Sequence, residues 1–139
     1  GGNGDGPYGI QPLSVFWDKR TFPFNSEVGS IGVSDYEAIK RFMPEKDMIV
    51  PEYDEATGKT QTDSVWEYHK YIGYDTSINK YGKAKSAEDF ANKAQLVNYD
   101  QYRGLMEGFS AHMWDWYTGA IIWKTQNPWT AMRGQMYDY

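Results

Sequence analysis

The chain has 139 residues, which is enough for one ordinary domain with a core and too few for two. Aromatic residues make up 17% of it, with 6 Trp and 12 Tyr, more than a small core can bury, so many must line an exposed cleft or an interface. The 14 basic and 19 acidic residues give a net charge of −5 without a Lys/Arg cluster, which argues against nucleic acid and anionic membrane surfaces as partners.

The first nine residues contain five glycines and a proline, a composition that predicts a loop. Tyr8 is the only large side chain in it. This ring either covers the loop's own backbone or projects from a flexible rim toward a ligand. The apolar residues of the following stretch, 10–17, predict a short turn or helix.

Residues 21–30 predict a short buried strand, rich in aromatic side chains, that delivers Glu27 into a loop containing Gly29 and Gly32. Ligands of parallel α/β sheets bind at the carboxyl ends of strands. Glu27 is therefore in a site position if the sheet is parallel. The alternative is that its carboxylate caps or pairs with something structural.

The sequence Ser34-Asp35-Tyr36-Glu37 has the form of a capping box, with the serine as N-cap, and predicts a helix from about Asp35 to Met43. Pro44 would end this helix. The polar residues 44–64 show no periodicity and predict an excursion outside the core.

An aromatic stretch follows at 66–74. If it is extended, alternation places Trp66, Tyr68 and Lys70 on one side. His69 either packs under a long loop, where its ring is hydrogen-bonded, or contacts a ligand. The sequence favours neither role over the other.

A second helix is predicted to begin at Ser86 and to run to near Trp116, with a break near Gly104 or Gly108 because it would be too long for a barrel helix. Spacings of four and three residues predict an apolar stripe, which we take as a core face. The stripe consists of Tyr102, Met106, Phe109, Met113 and Trp116.

The segment Gly119–Trp123 is apolar on both faces, a pattern typical of a strand buried on both sides in a parallel sheet. Two strands joined through helices are expected to be parallel, with a right-handed crossover. Glu27 and residues 124–129 should then emerge on the same rim of the sheet.

A carboxylate beside indole and phenol rings, with amides from Gln126 and Asn127, matches the needs of glycoside hydrolysis. In a retaining enzyme two carboxylates lie about 5 Å apart. Glu27 is the one good candidate for a catalytic carboxylate in this sequence, and Glu67 is the next best candidate for the second. The absence of cysteine excludes a thiolate nucleophile, and His69 and His112 are too far apart in sequence to suggest a metal site.

Several motifs in this order resemble the second half of the catalytic barrel of glycoside hydrolase family 2. The resemblance is greatest to the mannosylglycoprotein endo-β-mannosidase branch, with the exo-β-glucosaminidase branch close behind. The motifs are Gly6-Pro7-Tyr8, Phe24-Asn25-Ser26-Glu27, Trp66-Glu67-Tyr68-His69-Lys70, the run 93–99, Trp123-Lys124-Thr125-Gln126-Asn127-Pro128-Trp129 and Met136-Tyr137-Asp138-Tyr139.

The resemblance implies an α/β fold in which residues 1–139 form the C-terminal part of a (β/α)8 TIM barrel, about strands six to eight, incomplete on its own. It implies that Glu27 is the nucleophile at the end of strand seven and that Trp123 lies beneath the reacting sugar. The implied substrate contacts are Tyr8, Asn25, His69, Trp123, Asn127 and Trp129.

The general acid/base of this family is a glutamate at the end of strand four, and no residue here matches it. We therefore expect a fragment of a longer protein, or one chain of a processed enzyme, whose remaining barrel segments complete the site. The implied activity is cleavage of β-mannosidic bonds in oligosaccharides or N-glycan cores, with no metal or organic cofactor. The alternatives are an exo-β-glucosaminidase and a carbohydrate-binding fragment without catalysis. The compartment stays open.

Overall fold

The computed structural model describes residues 9–30, 32–126 and 128–132. Two of the predicted contact residues, Tyr8 and Asn127, lie outside these ranges. In chain order the elements are α1 (Val15–Asp18), β1 (Phe24–Val28), α2 (Tyr36–Phe42), β2 (Glu52–Asp54), β3 (Lys59–Gln61), α3 (Ser64–Tyr68), α4 (Ala87–Ala111) and β4 (Gly119–Ile122). Two short 3-10 helices, Glu45–Asp47 and Thr76–Tyr81, join them. The result is a small α/β structure with short sheets.

One of the two sheets within these ranges pairs β1 with β4. The two strands are parallel, and the register places Phe24 opposite Gly119 and Val28 opposite Ile122. The prediction of a parallel pair joined through helices is confirmed. Burial of β4 on both faces is not found, because in the described part of the chain this sheet has two strands, and Ile121 is 56% exposed.

The long helix α4 begins as predicted, with the Ser86 hydroxyl accepting a hydrogen bond from the Asp89 N–H at 3.1 Å. It continues for 25 residues, so the predicted break is wrong. Gly104 and Gly108 face the α1 segment. A Cβ on Gly104 would lie 2.7 Å from the Leu13 carbonyl oxygen, so these glycines permit close contact between the two helices.

The Gly104→Ala substitution tests this contact. Alanine is favoured over glycine inside a helix by about 1 kcal/mol, but overpacking against a backbone oxygen costs about 1–3 kcal/mol. We therefore expect a net loss of unfolding free energy, measured by thermal denaturation of the complete protein. The control is Ser110→Ala on the exposed side of the same helix, which should be neutral or stabilising. A gain in stability at Gly104 would contradict the close packing.

The predicted apolar stripe is only partly core. Phe109 is buried, but Met106 is 51% and Met113 39% exposed. The buried face of α4 is built largely from small residues that a search for large apolar side chains underweights. Its members are Ala87, Phe90, Ala91, Ala94, Val97, Gly104, Leu105, Gly108 and Phe109.

The predicted capping box is shifted by one residue. Asp35, and not Ser34, caps α2, since its carboxylate accepts from the Ala38 N–H at 2.9 Å. Glu37 forms an ion pair with Lys40 at 2.7 Å instead of reaching back to the cap. The predicted excursion at 44–64 contains the antiparallel hairpin of β2 and β3, which periodicity did not indicate.

The aromatic stretch after the hairpin is not extended. The Asp63 carboxylate accepts from the N–H groups of Val65 and Trp66 at 3.0 and 3.1 Å and starts the helix α3. In a helix, residues two apart point in different directions. The Trp66 side chain is accordingly fully buried, whereas Tyr68 is 68% exposed. Alternation had placed these two residues on one side, which is wrong. Within the described ranges, no helix is long and apolar enough to cross a membrane.

Candidate active site

The carboxyl ends of β1 and β4 meet at one edge of the sheet. Glu27 is the penultimate residue of β1 and its side chain is partly exposed. The next residue, Val28, is fully buried, and its carbonyl oxygen accepts from the Trp123 N–H at 2.8 Å. This hydrogen bond ties the residue after Glu27 to the residue after β4. The carboxyl ends of β1 and β4 thus lie at one edge, as the predicted parallel pairing requires, and the place of residues 124–129 at this rim stays a prediction.

Asn25 lies two residues before Glu27 on β1, at the start of an irregularity in the register that ends at Val28. It is only 2% exposed, and its side-chain amide donates to the Phe22 carbonyl oxygen at 2.9 Å. In this structure the Asn25 amide thus fixes the approach to the strand that carries Glu27. Its predicted contact with substrate stays a prediction.

Trp123 presents a half-exposed indole at the rim, with 45% of its surface accessible. The Lys124 ammonium lies 5.1 Å from the centroid of this ring, a cation–π arrangement. A ring that is exposed and electron-rich can stack against the C–H face of a sugar. Its predicted place beneath the reacting sugar stays a prediction.

His69 and Trp129 are brought together although 60 residues separate them. Their rings stack with centroids 6.1 Å apart, and Phe42 lies 4.4 Å from the imidazole centroid. His69 Nδ1 donates to the Thr130 carbonyl oxygen at 2.8 Å, and the His69 carbonyl oxygen accepts from the Met132 N–H at 2.8 Å. His69 is 8% exposed, so its geometry is that of a support under Trp129, which remains 39% exposed.

The loop after Glu27 is held by the side chains of Gln95 and Asn98 from α4, which sequence reasoning missed. The Asn98 Oδ1 accepts from the Ser30 hydroxyl at 3.4 Å, and the Gln95 amide donates to the Val33 carbonyl oxygen. Spacing of three residues places both side chains on one helix face. They lie in the run 93–99 that carries the family resemblance, but their role appears only once the helix is packed.

Tyr74 forms a further hydrogen bond with Asn98 from the core side. Its hydroxyl donates to the same Asn98 oxygen at 3.1 Å, and its ring is almost wholly buried. Burial raises the pKa of Tyr74 well above its ordinary value, so the hydroxyl stays protonated and remains a donor. The loop next to Glu27 is therefore anchored to the core.

The side chains that could bind a metal ion are scattered over the part of the chain that the structure describes. There, no group of three or more His, Asp or Glu side chains is arranged to hold a metal ion. The rim carries the partly exposed Glu27 and the half-exposed indole of Trp123.

Comparison with known proteins relates the chain to glycosidases along nearly its whole length. It is 44% identical to mannosylglycoprotein endo-beta-mannosidase of Lilium longiflorum over 146 aligned positions, which cover 97% of this chain and 15% of the lily protein. It is 27% identical to exo-beta-D-glucosaminidase of Hypocrea jecorina and 26% to that of Amycolatopsis orientalis, with 97% and 96% of this chain covered and 17% and 14% of the relatives. No family model matches, and no solved structure matches.

The chain thus spans about one seventh of the length of these relatives. Its match to the endo-β-mannosidase is far higher than its matches to the exo-β-glucosaminidases. This order agrees with the motif resemblance, which is confirmed. Along nearly its whole length the chain is therefore similar to glycosidases, and more similar to an endo-β-mannosidase than to the exo-β-glucosaminidases.

Proposed function

We propose that this chain is the nucleophile-bearing part of a retaining glycoside hydrolase that cleaves β-mannosidic bonds in oligosaccharides or N-glycan cores. The main support is the juxtaposition of Glu27 and Trp123 at the carboxyl edge of two parallel strands, tied by the Val28–Trp123 hydrogen bond. A carboxylate can serve as the nucleophile and a half-exposed indole can stack on the sugar, while the second carboxylate of a retaining enzyme would come from outside this chain.

In the proposed reaction the Glu27 carboxylate attacks the anomeric carbon of the mannose residue. The bond to the leaving oxygen breaks, and a glutamate outside this chain protonates that oxygen. Water, deprotonated by the same glutamate, then releases the sugar from Glu27 with overall retention of configuration. No step requires a metal or an organic cofactor.

The architecture we propose for the complete enzyme is a (β/α)8 barrel in which β1 and β4 are strands seven and eight. Parallel pairing through a helical connection supports it, as does the partly exposed β4, which leaves room for further strands. The remaining barrel segments would come from the same protein or from companion chains.

The proposed preference for mannose rests on the names of the similar proteins and on their identity to this chain. The name of the lily protein specifies a mannosylglycoprotein substrate, and its identity to this chain is 44%, against 27% for the fungal exo-β-glucosaminidase. Substitutions in one pocket change substrate preference by only a few kcal/mol. An exo-β-glucosaminidase of the same family is therefore the second candidate, and a carbohydrate-binding fragment without catalysis is the third.

The complete enzyme should be assayed against aryl β-mannosides and aryl β-glucosaminides, with the anomer of the first-formed sugar read by NMR. We expect kcat/KM to favour the mannoside by at least about tenfold, a factor within reach of one pocket, and the first product to be the β-anomer. Preference for the glucosaminide would select the second candidate. Binding of mannose oligosaccharides without turnover would select the third, and an α-anomer would rule out the retaining mechanism.

A further inference from the structure

Tyr68 and Trp129 form an exposed aromatic corner. The Tyr68 ring is 68% and the Trp129 ring 39% exposed. Their centroids are 6.0 Å apart and their planes differ by 71°, so one ring meets the edge of the other. The contact joins the end of α3 to the segment that follows β4. We call these two residues the aromatic corner.

The segments that carry both rings are anchored by packing. Trp129 is backed by the stacked imidazole of His69, whose own contacts to Thr130 and Met132 hold the segment. Tyr68 is the last residue of α3, a helix anchored by the buried side chain of Trp66. A preformed aromatic surface loses little conformational entropy when a ligand stacks on it.

The end of α3 is unusually tight on this side. The Lys70 N–H donates to the Glu67 carbonyl oxygen at 3.0 Å, and the Tyr71 N–H to that of Trp66 at 3.1 Å. This is a Schellman motif with lysine, instead of glycine, in the left-handed position, at a φ of 60°. The conformation holds the chain in a sharp turn directly after Tyr68 and His69.

The surroundings of the aromatic corner suit a sugar better than a protein surface. Glu67 and Lys70 are exposed on either side of Tyr68 and His69, whereas the centres of protein interfaces are depleted in charged residues. A pyranose ring needs an aromatic face for its C–H groups and polar neighbours for its hydroxyls, and rings with polar edges provide both.

The corner is also within reach of the rim. Trp129 follows Ile122, the last residue of β4, by seven residues, which span at most about 25 Å. We propose that Tyr68 and Trp129 form a subsite that stacks a sugar ring of the substrate other than the one attacked by Glu27. This inference rests on the proposed glycosidase function, and Tyr68 is the residue it adds to the site.

The test is Tyr68→Ala in the complete enzyme, assayed with a small aryl β-mannoside and with a mannose-containing oligosaccharide. We expect kcat/KM for the aryl substrate to stay within about twofold and that for the oligosaccharide to fall about tenfold through KM, as loss of one stacking ring implies. Tyr68→Phe keeps the ring and should retain most of the activity. Tyr99→Ala removes another exposed tyrosine, on α4, and should change neither value.

Loss of activity on both substrates to the same degree would overturn the subsite, and so would unchanged activity on both. Neither result for the variant would contradict the proposal that the wild-type enzyme is a glycoside hydrolase. If the wild-type enzyme hydrolyses neither substrate, the proposed function fails. Calorimetric titration of wild type and Tyr68→Ala with the oligosaccharide then decides the subsite separately, since weaker binding in the variant supports it and equal binding overturns it.

Discussion

The Glu27→Gln substitution in the complete enzyme is expected to abolish turnover while leaving sugar binding nearly unchanged. The amide has almost the same shape as the carboxylate but carries no negative charge and does not attack an anomeric carbon. Loss of a covalent nucleophile costs roughly 10³-fold or more in kcat. The measurements are kcat for an aryl β-mannoside and the dissociation constant of an oligosaccharide by calorimetry.

Glu37→Gln is the matched control for this prediction. Glu37 lies on α2, its side chain is 73% exposed, and its partner is Lys40. An exposed pair of this kind contributes little to stability, so activity should remain within about twofold. The assignment of Glu27 fails if its variant retains normal turnover. Glu67→Gln should also remain active, since Glu67 is an exposed residue of α3.

Trp66→Ala is expected to destabilise the complete protein by about 3–5 kcal/mol, the usual cost of emptying a large aromatic site in a core. The indole is fully buried, with the rings of Tyr71 and Phe90 at centroid distances of 5.1 and 6.0 Å. Its Nε1–H donates to the Asp47 carbonyl oxygen at 2.8 Å. The substitution therefore leaves a cavity and removes one hydrogen bond to an oxygen that still accepts from the Ile49 N–H at 2.8 Å.

Denaturant unfolding measures this loss, and Trp66→Phe separates its two parts. Phenylalanine keeps a ring between the neighbouring aromatics but removes the hydrogen bond, so its cost should be clearly smaller than that of alanine. A change below about 1 kcal/mol for Trp66→Ala would be typical of a surface position and would contradict the burial of this residue.

Features with a local physical cause could be predicted from the sequence. The start of α4 depends on the Ser86 side chain and the N–H of Asp89, three residues later, and both are visible in the sequence. The pairing of β1 with β4 follows from two apolar strands joined by helices, because such connections favour parallel strands. The common rim of Glu27 and Trp123 follows from that pairing.

Features that depend on tertiary contact could not be predicted in this way. Gly104 looks like a helix breaker until α1 is placed against it at a distance that leaves no room for a Cβ. The helix α3 has five residues, too few to distinguish helical from strand periodicity. The hydrogen bond from Ser30 to Asn98 joins residues 68 positions apart, so no local sequence pattern indicates it.

The pairing of β1 with β4 also dictates when the rim can exist during synthesis. Ala120, the partner of Asn25, is translated 95 residues later, which takes roughly 5–20 s at ribosomal speed. Until then the nascent chain carries Glu27 on a strand that lacks its β4 partner, and a polypeptide that ends before Gly119 would never acquire that partner.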